Sequence, residues 1–324
     1  MLLAALLWLL TPAGSGREAL EARIGTIAQA AGGTVGVSVL HLESGRGASL
    51  NGGQALPMAS VFKFPVAVEL LRRVDRGTLR LDQKVALGPG DMRFHSLIAE
   101  RAPAGGITMS IGELLEAMLV DGDNTAADRL LPLAGGPEVI TAQLEEAGFP
   151  DIRVDRSEAE LAFDFSGVSN PPSRATWSLA VLRSSIDGVP EDVRRAAYSR
   201  FLADPRDTST PDAMVQLLRS VQAGRRLSSE SRERLLTLMR QARTGPERLR
   251  GKLPSGTPVA HRTGTCGDFG KLNACTNDVG IVTLPGGAGH LAIAVFVRGS
   301  GRDLKARERT IAQIARAAYD HWAR

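Results

Sequence analysis

Between Arg17 and Ala31 the apolar residues Leu20, Ile24, Ile27 and Ala28 recur at helical spacing and stop at Gly32-Gly33. This predicts an amphipathic helix with a glycine C-cap. The period then shortens: from Val35 to Leu42 valines alternate with smaller residues, and Glu43-Ser44-Gly45 supplies a turn, so a strand and hairpin are expected. From Ser60 to about Met239 the spacing is helical almost throughout. Within it Ser110 and Glu113 form a capping box ahead of Leu114, Leu115, Met118 and Leu119. Thr210-Pro211 opens a further helix that turns Met214, Leu217, Leu218 and Val221 inward. Strand spacing returns over 258–266, 275–284 and 290–297, with Pro285-Gly286-Gly287 as a turn, and Ile311, Ile314, Ala315, Ala318 and Trp322 mark a closing helix.

Strand-forming segments at both ends of a chain must meet in space to pair. The pattern therefore predicts a discontinuous α/β domain (16–56 with 247–324) and an inserted helical domain (57–246) that carries the candidate nucleophile. A site at the junction of the two is the default expectation. Residues 1–15 read differently. Leu2 to Leu10 is an uncharged apolar run, too short to span a bilayer, and it is followed by small residues at Ala13 and Ser15. That is the form of a secretory leader, which places the mature chain in the periplasm or outside the cell. No cysteine follows it, so no lipid anchor is expected there.

The chain has 324 residues, 43% of them apolar and 23% charged, which is enough for a substantial core. The formal charge of +4 comes with Arg, Asp and Glu interleaved and only 4% aromatics, so no nucleic-acid footprint stands out. His41, His95, His261, His290 and His321 show no metal-ligand spacing, and no metal is expected.

Candidate chemistry begins at Ser60-Val61-Phe62-Lys63. Lys63 is one of five lysines against 34 arginines, so this sequence uses arginine wherever charge alone is enough. A lysine three residues after a serine offers what arginine lacks, an amine able to lose its proton. At helical spacing that amine reaches the serine oxygen and can make it a nucleophile.

Three further segments join it: Asp121-Gly122-Asp123-Asn124-Thr125, Arg156-Ser157-Glu158-Ala159-Glu160-Leu161, and His261-Arg262-Thr263-Gly264-Thr265. With Ser60 and Lys63 these resemble the S-x-x-K, S-D-N and K-T-G motifs of class A serine β-lactamases. Asp207 to Pro211, Arg243 to Pro246, Arg248 to Gly251 and Thr276 to Ile281 extend the likeness, most closely to the PER/VEB-type extended-spectrum subgroup, over about residues 20–322. The resemblance implies a β-lactamase/transpeptidase-like fold, an antiparallel sheet flanked by helices with an inserted helical domain. It implies hydrolysis of penicillins and cephalosporins through a Ser60 acyl-enzyme, with no cofactor; the oligomeric state is left open, with a monomer expected. Lys63 would take the serine proton. Glu158 would activate the deacylating water. The amides of Ser60 and Thr265 would form an oxyanion hole. Asn124 would bind the drug's side-chain amide; capping a helix is the other role open to it, and the two are compatible. Arg262, Thr263, Gly264 and Thr265 would line the substrate strand, with Arg262 attracting the drug carboxylate. Arg248 would add a second positive charge there or, alternatively, be a solvated helix end. Phe94 or His95 would wall the cleft.

Two positions depart from the family pattern. Gly122 stands where the S-D-N serine supplies a proton-relaying hydroxyl, and Ala162 stands where many members hold the deacylating water with asparagine. Restoring a hydroxyl at 122 is expected to speed acylation, unless glycine there holds a positive φ. Gly122 favours a slowly turning-over β-lactam binder or sensor; Ser60, Lys63 and Glu158 together oppose that reading. A D-Ala-D-Ala peptidase on the same fold would not need Glu158. Finally, if Gly270-Lys271 is a two-residue turn, the register sets Cys266 opposite Cys275. An exported chain could bridge the pair, and two free buried thiols are the alternative.

Overall fold

The computed structural model describes residues 14–323. The leader expected over 1–15 therefore lies outside the described residues except for Gly14 and Ser15, which begin the first helix, Gly14–Ala28. The strands in chain order are β1 (Thr34–His41), β2 (Gly47–Leu50), β3 (Leu56–Pro57), β4 (Lys84–Leu87), β5 (Ile107–Ser110), β6 (Thr208–Ser209), β7 (Val259–Thr265), β8 (Asp268–Phe269), β9 (Leu272–Thr283) and β10 (His290–Ser300). The main sheet runs β2-β1-β10-β9-β7, with β8 folded back on β9, and every pairing is antiparallel.

The sheet is central because β10 is apolar on both faces. Leu291, Ile293, Val295 and Val297 join one buried cluster with Leu20 and Ile24 of the first helix and Ile311 and Ile314 of the last, Leu304–Trp322. Ala292, Ala294 and Phe296 face the other way, into a cluster shared with Met214 and Leu218 of the Pro211–Gln222 helix and Leu70 and Leu71 of the Lys63–Asp75 helix. Fully burying one such aliphatic side chain is worth about 1.5–3 kcal/mol. The alternation along β10 thus binds terminal and inserted helices to opposite faces of one strand.

Two small ladders interrupt the helical stretch, contrary to the near-continuous helix expected there. β3 pairs with β6, and β4 with β5. Residues 158–166, where the sequence shows little periodicity, form a helix opened by a capping box between Ser157 and Glu160.

Candidate active site

Ser60 lies in the 3₁₀ turn Ala59–Phe62, which runs directly into the Lys63–Asp75 helix. Ala59 holds φ of 44°, a left-handed conformation that costs a non-glycine residue about 1–3 kcal/mol and recurs at functional sites. Lys63 is fully buried. Its Nζ lies 3.0 Å from Ser60 Oγ, 2.8 Å from the Gly122 carbonyl, 2.5 Å from Asn124 Oδ1 and 3.0 Å from Glu158 Oε1. Of these four contact atoms only the Ser60 hydroxyl carries a proton, so it is the one from which a neutral Lys63 amine can draw one. Burial drives the Lys63 pKa below its ordinary value; the Glu158 carboxylate opposes that shift and the Arg262 guanidinium reinforces it. Ser60 Oγ also donates to Glu158 Oε1 at 3.2 Å, which closes a serine–lysine–glutamate triangle.

Glu158 is the first residue of its helix and is held from behind. Asp128 accepts from its amide at 2.6 Å and from that of Ala159 at 3.3 Å. Asp128 is itself gripped by Arg93, whose Nε donates at 2.5 Å. Burial raises the Asp128 pKa against the pull of Arg93. The Arg93 guanidinium lies over the Trp177 ring, 4.9 Å from its centroid. Sequence reasoning missed both Arg93 and Asp128. Asp128 lies four residues after Asn124 on the same helix, so it shares that residue's face, but nothing local marks Arg93 as its partner.

Asn124 does not cap its helix. Asp123 does, accepting from the Ala126 amide at 2.9 Å, and this leaves Asn124 Oδ1 for Lys63. Gly122 ends a π-helical turn with φ of 77°.

On β7, Arg262 is buried at 2% exposure and donates Nη1 to the Leu119 carbonyl at 3.1 Å and Nε to that of Thr263 at 3.2 Å. Burial pushes its pKa down to about 10, against Asp278 and Glu158, so at neutral pH it remains a cation. Thr263 shares a 2.7 Å hydroxyl contact with Thr244. At Gly264 an added Cβ would lie 2.3 Å from the Met58 carbonyl, so β7 approaches the Ser60 turn as only glycine allows. From β9, Asn277 secures the same turn, donating to the carbonyls of Pro57 at 2.8 Å and Met58 at 3.0 Å.

Arg248 is not a solvated helix end. It is buried, pairs with Glu308 at 3.2 Å, and donates to the Gly264 and Asn277 carbonyls and to the Thr265 hydroxyl. Its charge is thus shared with Glu308 while it braces the strand from which Thr265 faces the cavity. Beyond Thr265, Cys266 and Cys275 are joined by a disulfide, in the register set by the Gly270-Lys271 turn. Of the two states left open for that pair, the structure has the bridge.

These groups surround one cavity of about 610 Å³, with Ser60, Gly122, Asn124, Glu158, Arg262 and Thr265 on its walls. Both Phe94 and His95 line it, as do Ala162 and Phe165. Among the described residues no cluster of His, Cys, Asp or Glu could hold a metal ion.

A serine hydroxyl, a buried amine and a carboxylate converge in one cleft between a sheet edge and a helical layer, the set of groups an active-serine hydrolase requires. The sequence matches the family model described as the beta-lactamase enzyme family over residues 19–322, and the chain belongs to that family. It is a serine β-lactamase of the class A, PER/VEB-like kind. It is 30% identical to Beta-lactamase VEB-1 of Pseudomonas aeruginosa over 307 residues, 94% of this chain and 90% of that one. It is 31% identical to Extended-spectrum beta-lactamase PER-1 of the same organism over 288 residues, 88% and 82% of the two chains. Among solved structures, TLA-1 extended-spectrum β-lactamase matches with a TM-score of 0.79 at 29% identity, covering 95% of this chain and all of that one. A β-lactamase from Chitinophaga pinensis DSM 2588 matches with a TM-score of 0.78 at 33% identity, covering 93% and 98%.

Proposed function

We propose that the hydrolysis runs through a Ser60 acyl-enzyme, with Lys63 as the base for acylation and Glu158 as the base for deacylation. The observation that carries this is Lys63 Nζ at 3.0 Å from both Ser60 Oγ and Glu158 Oε1. Ser60 Oγ attacks the lactam carbonyl carbon and its proton passes to Lys63. The carbonyl oxygen, now negative, is received by the amides of Ser60 and Thr265. The C–N bond then breaks, its electron pair passes to nitrogen, and the nitrogen takes the proton that Lys63 holds. Water next attacks the ester carbon while Glu158 takes its proton; the carbon–Oγ bond breaks and Ser60 Oγ regains a proton from Glu158, which restores both groups. Asn124 and the 262–265 strand orient the drug, with Arg262 supplying positive charge for its carboxylate. The helical part (57–246) supplies most of the lining of this cleft, and the sheet part (16–56 with 247–324) supplies the wall from Arg248 and the 262–267 segment. No helix among the described residues is long and apolar enough to cross a membrane. We assign the mature chain to the periplasm or the extracellular space, where its disulfide is maintained.

The test is Glu158→Ala. With the acylating pair intact, the variant should react with a penicillin and then stall, seen as a stable mass increase on Ser60, with turnover lower by about 10²- to 10⁴-fold. Turnover at the parent rate would remove Glu158 from deacylation.

A further inference from the structure

Gly122, Thr244, Arg262 and Thr263 come together on one wall of the cavity. A Cβ added to Gly122 would lie 2.8 Å from Arg262 Nη2, 3.3 Å from Thr244 Cγ2 and 3.4 Å from Arg262 Nη1. The guanidinium is not free to step aside, because Nη1 is committed to the Leu119 carbonyl and Nε to that of Thr263. Nη2 has no hydrogen-bond partner among the described residues, and it is the nitrogen nearest the space above Gly122. A lysine at 262 would place a single compact ammonium there instead of a planar fork, and would leave room for a side chain at 122.

We propose that Gly122 and Arg262 are one matched unit, in which the guanidinium fills the volume a side chain at 122 would need and Nη2 replaces a hydroxyl as the donor on that wall. The inference rests on the Ser60 acyl-enzyme reading. No relay through residue 122 then exists. When the C–N bond of the tetrahedral intermediate breaks, the electron pair passes to nitrogen, which takes the proton that Lys63 accepted from Ser60. This reverses the expectation that a restored hydroxyl speeds acylation: with Arg262 in place, Gly122→Ser forces the new Cβ against a held cation.

A double-mutant cycle tests this with Gly122→Ser, Arg262→Lys and the pair, reading single-turnover acylation by a chromogenic cephalosporin and thermal melting. Each single change should slow acylation about 10-fold or more, and the double variant should acylate at least about 10-fold faster than the two losses multiplied together would allow. Faster acylation in Gly122→Ser, or losses that simply multiply, would overturn the proposal. Both Ser and Ala at 122 suffer the strain of φ at 77°, which no change at 262 relieves. Gly122→Ala with and without Arg262→Lys therefore separates strain from collision. Arg262→Lys should raise the melting temperature of either side-chain variant, including one too unstable to assay alone. No recovery would assign the defect to backbone strain and sink the pairing. The melting cycle reads the pair even if the parent fails to acylate, an outcome that would count against Ser60 instead.

Discussion

Lys63 and Arg262 are both buried cations on the same cavity, and they are treated differently. Lys63 has a carboxylate within 3.0 Å together with three uncharged oxygens, one of them a hydroxyl that can give up its proton. Arg262 has carbonyl oxygens and, among the described residues, no carboxylate at ion-pair distance. Burial lowers the pKa of both, that of the arginine to about 10. Comparable burial thus leaves one group poised to exchange a proton and the other a fixed positive charge. The chemistry of the side chain decides which task each can do.

The strongest way to break that contrast is to exchange the type of cation at the exchanging position. Lys63→Arg keeps a positive charge beside Ser60 but removes the group that deprotonates, so acylation should fall by about 10²- to 10⁴-fold. Stopped-flow with a chromogenic cephalosporin would measure it, and a variant acylating at the parent rate would show that charge alone suffices at 63. Next in size is the support behind Glu158. Arg93→Met leaves Asp128 buried without its cation, a loss of about 3–5 kcal/mol that urea unfolding would register. Deacylation should slow in the same variant, because Asp128 holds the Glu158 and Ala159 amides; an unchanged rate would limit Arg93 to stability. The smallest effect is electrostatic. Glu158 raises the Lys63 pKa, so Glu158→Gln should let Lys63 lose its proton more readily. The acidic limb of acylation then moves to lower pH, since the neutral amine persists further down the scale. A shift to higher pH would identify some other group as the one that titrates.

The parts of this site legible in the sequence were those fixed by local spacing. Ser60 and Lys63 lie one helical turn apart, and their relation survives any tertiary arrangement. The same holds for the Cys266–Cys275 register, which one tight turn determines. What escaped depended on segments distant in the chain meeting at close range. Arg93 finds Asp128 only because the loop before the Leu97–Arg101 helix packs against the Asn124–Leu133 helix, and Arg248 is buried because Glu308 of the last helix meets it. The size relation between Gly122 and Arg262 exists only once β7 lies against the π-helical turn. The β3–β6 ladder, two residues on each strand, is too short to display any period. The helix from Glu158 was hidden because its apolar residues serve two small clusters, Ala159 and Phe163 in one and Leu161 and Phe165 in another.

At Gly264 a single hydrogen in place of a side chain lets β7 lie against the Met58 carbonyl. The oxyanion amides proposed here come from either side of that contact, Ser60 from the turn and Thr265 from the strand. Their separation is therefore gauged by the thickness of a bare peptide. Even a methyl group at 264 would act as a shim and widen the gap for the developing negative oxygen without touching a catalytic side chain. Mutational drift is thereby closed at this position by a backbone contact, while at the more exposed Thr265 beside it the constraint falls on the hydroxyl that Arg248 engages.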